Sequence, residues 1–126
     1  MIHVVAAVIE RDGRFLLTLR PAGTHLAGRW EFPGGKCAPG ETRTEALRRE
    51  LYEELAIAAD VGECIHSVSH AYPDRTVQLH FHRCSFEGEP KPMLGQEIRW
   101  VDRAALCELP FPDADADLIA RLSAGS

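Results

Sequence analysis

Apolar positions follow three patterns along the chain. Near the start, "VVAAVI" and "FLLTL" are short, nearly unbroken apolar runs on either side of Asp12-Gly13. They read as two strands joined by a tight hairpin, for which Asp-Gly is a strong signal. From Thr42 the period changes: Leu47, Leu51 and Leu55 recur every four residues, the stripe of a helix that docks on a core. "TRTE" at its start has the form of a capping box, with Thr42 at the cap and Glu45 three residues on. Between about residues 60 and 87, "VGECIHSVSHAY" and "TVQLHFHRCSF" predict two more strands, separated by a turn at Pro73-Asp74. "EIRWVD" predicts a further strand, "RAALCEL" a short helix, and "DADLIARL" a closing helix introduced by Pro110 and Pro112.

Glycine and proline crowd residues 21–40 and return between Gly88 and Gly95. Both stretches are therefore loops, the first long enough to be functional. Strands outnumber helices and both are present, which predicts an α+β fold: one domain over residues 1–126, with a helix on each side of a mixed sheet.

Composition narrows the possibilities. The formal charge is −5, from 14 Lys and Arg against 19 Asp and Glu, with no concentrated basic patch, so a nucleic-acid polymer is not the expected partner. A single nucleotide needs only a few placed cations or a metal. The first apolar run lacks a basic leader and a cleavage pattern, so neither signal peptide nor membrane span is expected, and the cytoplasm is the expected location. Cys37, Cys64, Cys84 and Cys107 are scattered without a CxxC pair and read as reduced thiols. His80, His82 and Cys84 alternate on one strand face and would suit a soft metal, but ordinary half-buried strand residues account for them better.

The sharpest chemistry lies in "GGKCAPGETRTEALRRELYEELAI". Glu50, Glu53 and Glu54 stand at i, i+3 and i+4 on one helix face, where like charges repel and invite a cation; carboxylate oxygens suit Mg²⁺ or Mn²⁺. Arg49 lies four residues before Glu53 and can fix that carboxylate, and Glu41 lies near enough to return toward the same face. Gly34 and Gly35 allow backbone amides to approach a phosphate. A solvated acidic face is the alternative reading of the acids, and a simple tight turn that of the glycines.

The pattern Gly35-x5-Glu41-x7-Arg49-Glu50-Leu51-x-Glu53-Glu54-x-Ala56-Ile57 resembles the Nudix box, GX5EX7REUXEEXGU, with Ala56 in place of its last glycine. "WEFPGGK" (30–36), "YPDR" (72–75), "EGEP" (87–90) and "FPDAD" (111–115) extend the resemblance to MutT-like members over most of the chain. The resemblance implies an α/β/α sandwich and Mg²⁺- or Mn²⁺-dependent attack of water on a nucleoside triphosphate, giving monophosphate and pyrophosphate. It implies Glu50, Glu53, Glu54 and the Gly34 carbonyl as metal ligands, Arg49 as their orienter and Glu53 as base. Arg20, Glu31, Phe32, Gly35, Lys36, Arg75 and Asp115 are the implied substrate contacts.

Three positions depart from the family. Ala56 can stay helical, so the helix is expected to run further or leave by a different turn. Leu94 stands where several relatives carry a further carboxylate, which Glu97 would have to replace. Asp115 stands where an asparagine reads oxidised guanine; it would also suit the amino group of cytosine, or simply cap the closing helix. The implied substrate is 8-oxo-dGTP, with cytosine nucleotides or another nucleoside diphosphate derivative as alternatives; a regulatory module without turnover is the competing class. Monomer and homodimer are both compatible with the sequence.

Overall fold

The computed structural model describes residues 2–24 and 27–125. Strands β1 (Ile2–Val8), β5 (Gly34–Lys36), β6 (Asp60–Tyr72) and β7 (Arg75–Ser85) form one mixed sheet in the order β5-β1-β7-β6. In it β1 runs parallel to β7, and the other pairs are antiparallel. In a second, antiparallel sheet β2 (Glu10–Arg11), β4 (Trp30–Glu31) and β8 (Ile98–Asp102) all pair with β3 (Arg14–Leu19). Helix α1 (Arg43–Leu55) and helix α2 (Ala116–Ser123) belong to separate apolar clusters on either side of β1.

The near-continuous apolar runs follow from that layering, because strands covered on both faces need no polar side. Val5, Ala7 and Ile9 join Leu47, Leu51 and Leu55 of α1, while Ala6 and Val8 join Leu118 and Leu122 of α2. The hairpin expected at Asp12-Gly13 forms, with positive φ at both residues (53° and 77°) as a two-residue primed turn requires. It joins β2 to β3, however, and not β1 to β3: the first run breaks at Ile9, and β1 leaves for the other sheet to pair with β7. "RAALCEL" becomes a 3₁₀ helix over Arg103–Glu108, and a shorter 3₁₀ turn, Asp113–Asp115, precedes α2. Within the long glycine-rich stretch, β4 and β5 are the short regular pieces.

Helix α1 begins as its sequence requires. The Thr42 hydroxyl accepts from the Glu45 amide at 3.1 Å, and the Glu45 carboxylate accepts from the Thr42 amide at 2.9 Å. Its end corrects the expectation for Ala56. The helix stops at Leu55, and Ala56 takes the left-handed conformation (φ 56°, ψ 36°) in which a glycine would be at ease, its amide donating to the Tyr52 carbonyl. The turn is imposed from outside. The Met93 amide and the Gln96 side chain donate to the Glu54 carbonyl, the Lys91 amide donates to the Leu55 carbonyl, and buried Ile57 draws the chain back to the core. Ala56→Gly is accordingly expected to stabilise the protein by about 1 kcal/mol, the left-handed penalty of a Cβ less the extra entropy of glycine; a denaturant midpoint that does not rise would refute this.

Candidate active site

A cleft of about 270 Å³ opens over the α2-side face of β1 and β7, on an apolar floor that includes Val4, Ala6, Val77, Leu79 and Phe81. One end is lined by Gly34, Gly35, Lys36 and Glu54, the other by Arg20, Phe32, Tyr72, Arg75 and Asp115, with Glu31 near enough to act on both Glu54 and Asp115. The fold thus brings most of the candidate residues around one cavity, with an acidic end and a mixed polar end.

At the acidic end Arg49 is the organiser. Its Nε and Nη2 grip Glu41 in a fork at 2.7 and 3.0 Å, and Nη1 donates to Glu50 at 3.1 Å and more loosely to Glu53 at 3.3 and 3.5 Å. Nη2 also donates to the Lys36 carbonyl at 3.1 Å, tying α1 to β5. Glu41 therefore does return toward the helix, and Arg49 with the Ala38 amide holds its carboxyl down to about 2. The tight partner of the arginine is Glu41, and Glu53 is left half-exposed with room to move.

The two glycines are explained by close packing. A Cβ on Gly34 would lie 2.0 Å from the Val5 carbonyl oxygen, and one on Gly35 would lie 2.4 Å from the Glu50 carboxyl carbon. Gly35 thus makes the space in which the Glu50 carboxylate sits. Beside it Glu54 is half-buried, close enough to Glu50 for the two carboxyls to repel, and its Oε2 is buried with no hydrogen-bond partner. Burial first, then the charges of Glu50 and Glu31, push the Glu54 carboxyl up to about 8.

A divalent cation suits this donor set. It would satisfy the orphaned Glu54 oxygen and offset the repulsion between the two adjacent carboxyls. Among the described residues no three Asp, Glu, His or Cys side chains converge closely enough to hold an ion without rearrangement. Glu53 can supply that rearrangement, because only its long contact with Arg49 restrains it. Glu97 points elsewhere: its Oε2 accepts from Arg99 at 2.7 Å, and it lies outside the cleft lining. Leu94 is exposed on the loop that clamps α1. His80, His82 and Cys84 each bond separately, His82 to the Gly62 carbonyl and Cys84 to the His82 carbonyl, so they form no metal group.

At the other end Arg20 donates to Glu31 at 2.7 Å, and burial raises the Glu31 carboxyl against the pull of that arginine. Phe32 packs edge-on to Phe81 and stacks with Phe111, which makes it a wall of the cleft as well as core. Arg75 has a buried Nε with no partner. Asp115 is 4% exposed, and its side chain makes no capping bond to α2, which removes the helix-cap reading. Burial, reinforced by the nearby Glu31, pushes its carboxyl up to about 7. Tyr72 is a lining residue to which sequence reasoning gave no role. The two-residue turn at Pro73-Asp74 was its signal, since such a turn sets residues 72 and 75 side by side.

The chain and its fold have close relatives among known proteins. The chain is 43% identical to the CTP pyrophosphohydrolase of Escherichia coli over 120 residues, covering 94% of this chain and 89% of that one. It is 40% identical to the 8-oxo-dGTP diphosphatase of Haemophilus influenzae over 124 residues, covering 97% and 91%. Among solved structures, the Escherichia coli ORF135 protein superposes with a TM-score of 0.86 at 42% identity, covering 98% of this chain and 89% of that chain. The MutT protein of Methanosarcina mazei superposes at 0.87 with 26% identity, covering 98% and 94%. The NUDIX domain model matches residues 4–121, from β1 into α2, and the chain belongs to the Nudix family.

Proposed function

We propose that this protein is a Mg²⁺-dependent pyrophosphohydrolase that cleaves a nucleoside triphosphate, 8-oxo-dGTP above all, to monophosphate and pyrophosphate, acting on free nucleotides in the cytoplasm. Mn²⁺ is the natural substitute metal. The observation that carries the base assignment is Asp115, 4% exposed on the lining of the same cleft as Glu54, with its carboxyl pushed up to about 7 so that the neutral form is available near neutral pH. A neutral carboxyl sets an O–H donor beside a carbonyl acceptor. On its Hoogsteen edge 8-oxoguanine offers the O6 acceptor beside an N7–H donor and matches that pair, whereas unmodified guanine offers two acceptors and leaves the Asp115 carbonyl facing a lone pair.

When bound, the divalent ion supplies neutralisation of the phosphate charge and a water of lowered pKa. Glu50, Glu54 and the Gly34 carbonyl are the residues that would hold it, joined by Glu53. Glu53, half-exposed and in long contact with Arg49, is the base that takes the proton of the attacking water. Arg49 neutralises and aligns Glu50 and Glu53 while it stays locked to Glu41. Lys36, Arg20 and Arg75 line the route of the triphosphate as its cationic contacts, and Phe32 forms part of the base pocket.

Cytosine nucleotides are the second reading, favoured by the same carboxyl, since N3 and the 4-amino group of cytosine also present an acceptor beside a donor. Pyrophosphate release from 8-oxo-dGTP, dGTP, CTP and 5-substituted dCTPs, with and without Mg²⁺, tests both. Cleavage of a dinucleoside polyphosphate or nucleotide sugar alone would reject the triphosphate reading, and hydrolysis without a divalent ion would reject the metal scheme.

Asp115 also gives a pH dependence of definite sign. Its folded-state pKa lies above the ordinary aspartate value, so its contribution to stability is full at low pH and is lost as pH rises toward and through about 7. Asp115→Asn, which cannot ionise, is expected to melt above the wild type at pH 8. It should also abolish the fall in 8-oxo-dGTP over dGTP preference that the wild type shows between pH 6 and 8. A wild-type preference that does not change over that range would exclude the neutral carboxyl as the reader.

A further inference from the structure

On the α1-side face of the β5-β1-β7-β6 sheet, away from the cleft, lies a polar cluster that the proposed reaction does not use. His80 of β7 is 9% exposed. Its Nδ1 receives Arg43 Nη1 at 2.7 Å, with the Ser67 hydroxyl at 3.1 Å, and its Nε2 lies 3.2 Å from His3 Nδ1. A guanidinium can only donate, so the His80 Nδ1 is the bare acceptor nitrogen. The proton of the neutral ring is then on Nε2, donated to His3, whose ring stacks beside it at 5.5 Å between centroids.

Arg43 is the first residue of α1, two turns before Glu50. A cation in the first turn opposes the helix dipole, so its placement there costs the helix a little unless something else requires it. His80 is what it meets. We propose that Arg43 and His80 are a positioning pair for the acidic helix: the neutral imidazole holds the guanidinium, and with it the first turn of α1, and protonation of that imidazole releases both.

The geometry sets protonation of His80 against the Arg43 contact. A proton on Nδ1 would place two donors and two positive charges 2.7 Å apart. The groups around His80 are Arg43 from α1, His3 from β1, Ser67 from β6, with the Cys64 thiol behind it against the Ser67 hydroxyl, and His82 from β7; Cys37, ahead of α1, holds the His3 carbonyl with its amide. None of these is a carboxylate, and burial together with Arg43 lowers the His80 pKa from its ordinary value. The pair is therefore intact at neutral pH and lost in acid.

This inference rests on the proposed hydrolysis for its kinetic readout, and hydrogen exchange tests it independently. His80→Asn keeps an acceptor near the Nδ1 position and cannot titrate. With 8-oxo-dGTP at saturating Mg²⁺, the quotient of wild-type to His80→Asn kcat cancels every titration common to both proteins. It is expected to be flat from pH 8.5 to 7 and to fall roughly five-fold by pH 5, the scale of one partly exposed charged hydrogen bond, while the quotient of KM values stays level. In metal-free protein, protection factors at the amides of Glu45 and Ala46 should drop in acid for the wild type and not for His80→Asn. Arg43→Met, a surface change that leaves His80 in place, should show at pH 8 the first-turn exchange that the wild type shows at pH 5. A flat kcat quotient, an equal acid-induced loss of protection in both proteins, or wild-type protection in Arg43→Met overturns the pair. If the wild type cleaves no nucleoside triphosphate, the proposed function fails and the exchange measurements alone decide the positioning role.

Discussion

Glu53→Gln is expected to fold as the wild type does and to lose roughly three or more orders of magnitude in kcat, the scale of removing a general base from a metal-assisted hydrolysis. The replacement keeps size and shape. The Glu53 side chain is 55% exposed and meets Arg49 at 3.3 Å or more, so little stability rides on it. What the amide lacks is the capacity to take a proton. Arg49 stays anchored in the variant, because its strong contacts are with Glu41 and Glu50. Single-turnover hydrolysis of 8-oxo-dGTP, beside an unchanged melting curve, measures the effect; near-normal turnover would remove Glu53 as the base and direct attention to Glu50 or Glu54.

The two adjacent glycines should separate stability from metal affinity. In Gly35→Ala the new methyl would stand 2.6 Å from each Glu50 carboxylate oxygen, so that side chain must leave its place beside Glu54. The expected result is a loss of about 10- to 100-fold in divalent-ion affinity, the size found when a group that orients a ligand is removed, read by Mn²⁺ titration. In Gly34→Ala the obstacles are the Val5 carbonyl at 2.0 Å and the Ala6 Cα at 2.8 Å, both backbone atoms of β1. No rotamer relieves that overlap, so β5 must move off the sheet, at an expected cost of about 3 kcal/mol or more. If Gly34→Ala melts like the wild type, the pairing of β5 with β1 is not what fixes that glycine; if Gly35→Ala binds Mn²⁺ normally, Glu50 is not a ligand.

Local chemistry was legible in the sequence and partnership was not. The Asp12-Gly13 turn, the Thr42 cap and the leucine stripe of α1 are decided by neighbours a few residues away, and each forms as the pattern requires. The partner of β1 is β7, more than seventy residues on, and alternation along a strand carries no record of which strand lies beside it. So the hairpin was visible but its assignment to β2 was not. Ala56 was misjudged for a related reason. Its own preference is helical, and the left-handed turn is enforced by donors from residues 91–96 that have no periodic signature.

At the site, the spacing of Glu50, Glu53 and Glu54 pointed to a cation, and the structure gathers Glu54 and the glycines at one end of the cleft. The pairing of Arg49 with Glu41 was hidden, because Glu53 at i+4 is the better partner on an isolated helix and only the folded loop brings Glu41 closer. The character of Asp115 was hidden as well. Whether an aspartate at a helix start caps it or stays protonated in a cavity depends on burial, which is a property of the whole fold.

The clamp on the end of α1 reaches beyond the shape of one turn. Lys91, Met93 and Gln96 meet the carbonyls of Glu54 and Leu55, so the last turn of the helix and this loop can open only together and form one unit of local unfolding. Glu54 sits inside that unit. Any ion that gains from Glu54 in its folded place therefore also slows the opening of residues 91–96, a segment to which no ligand role is given, and its amides become a remote gauge of whether the metal site is filled.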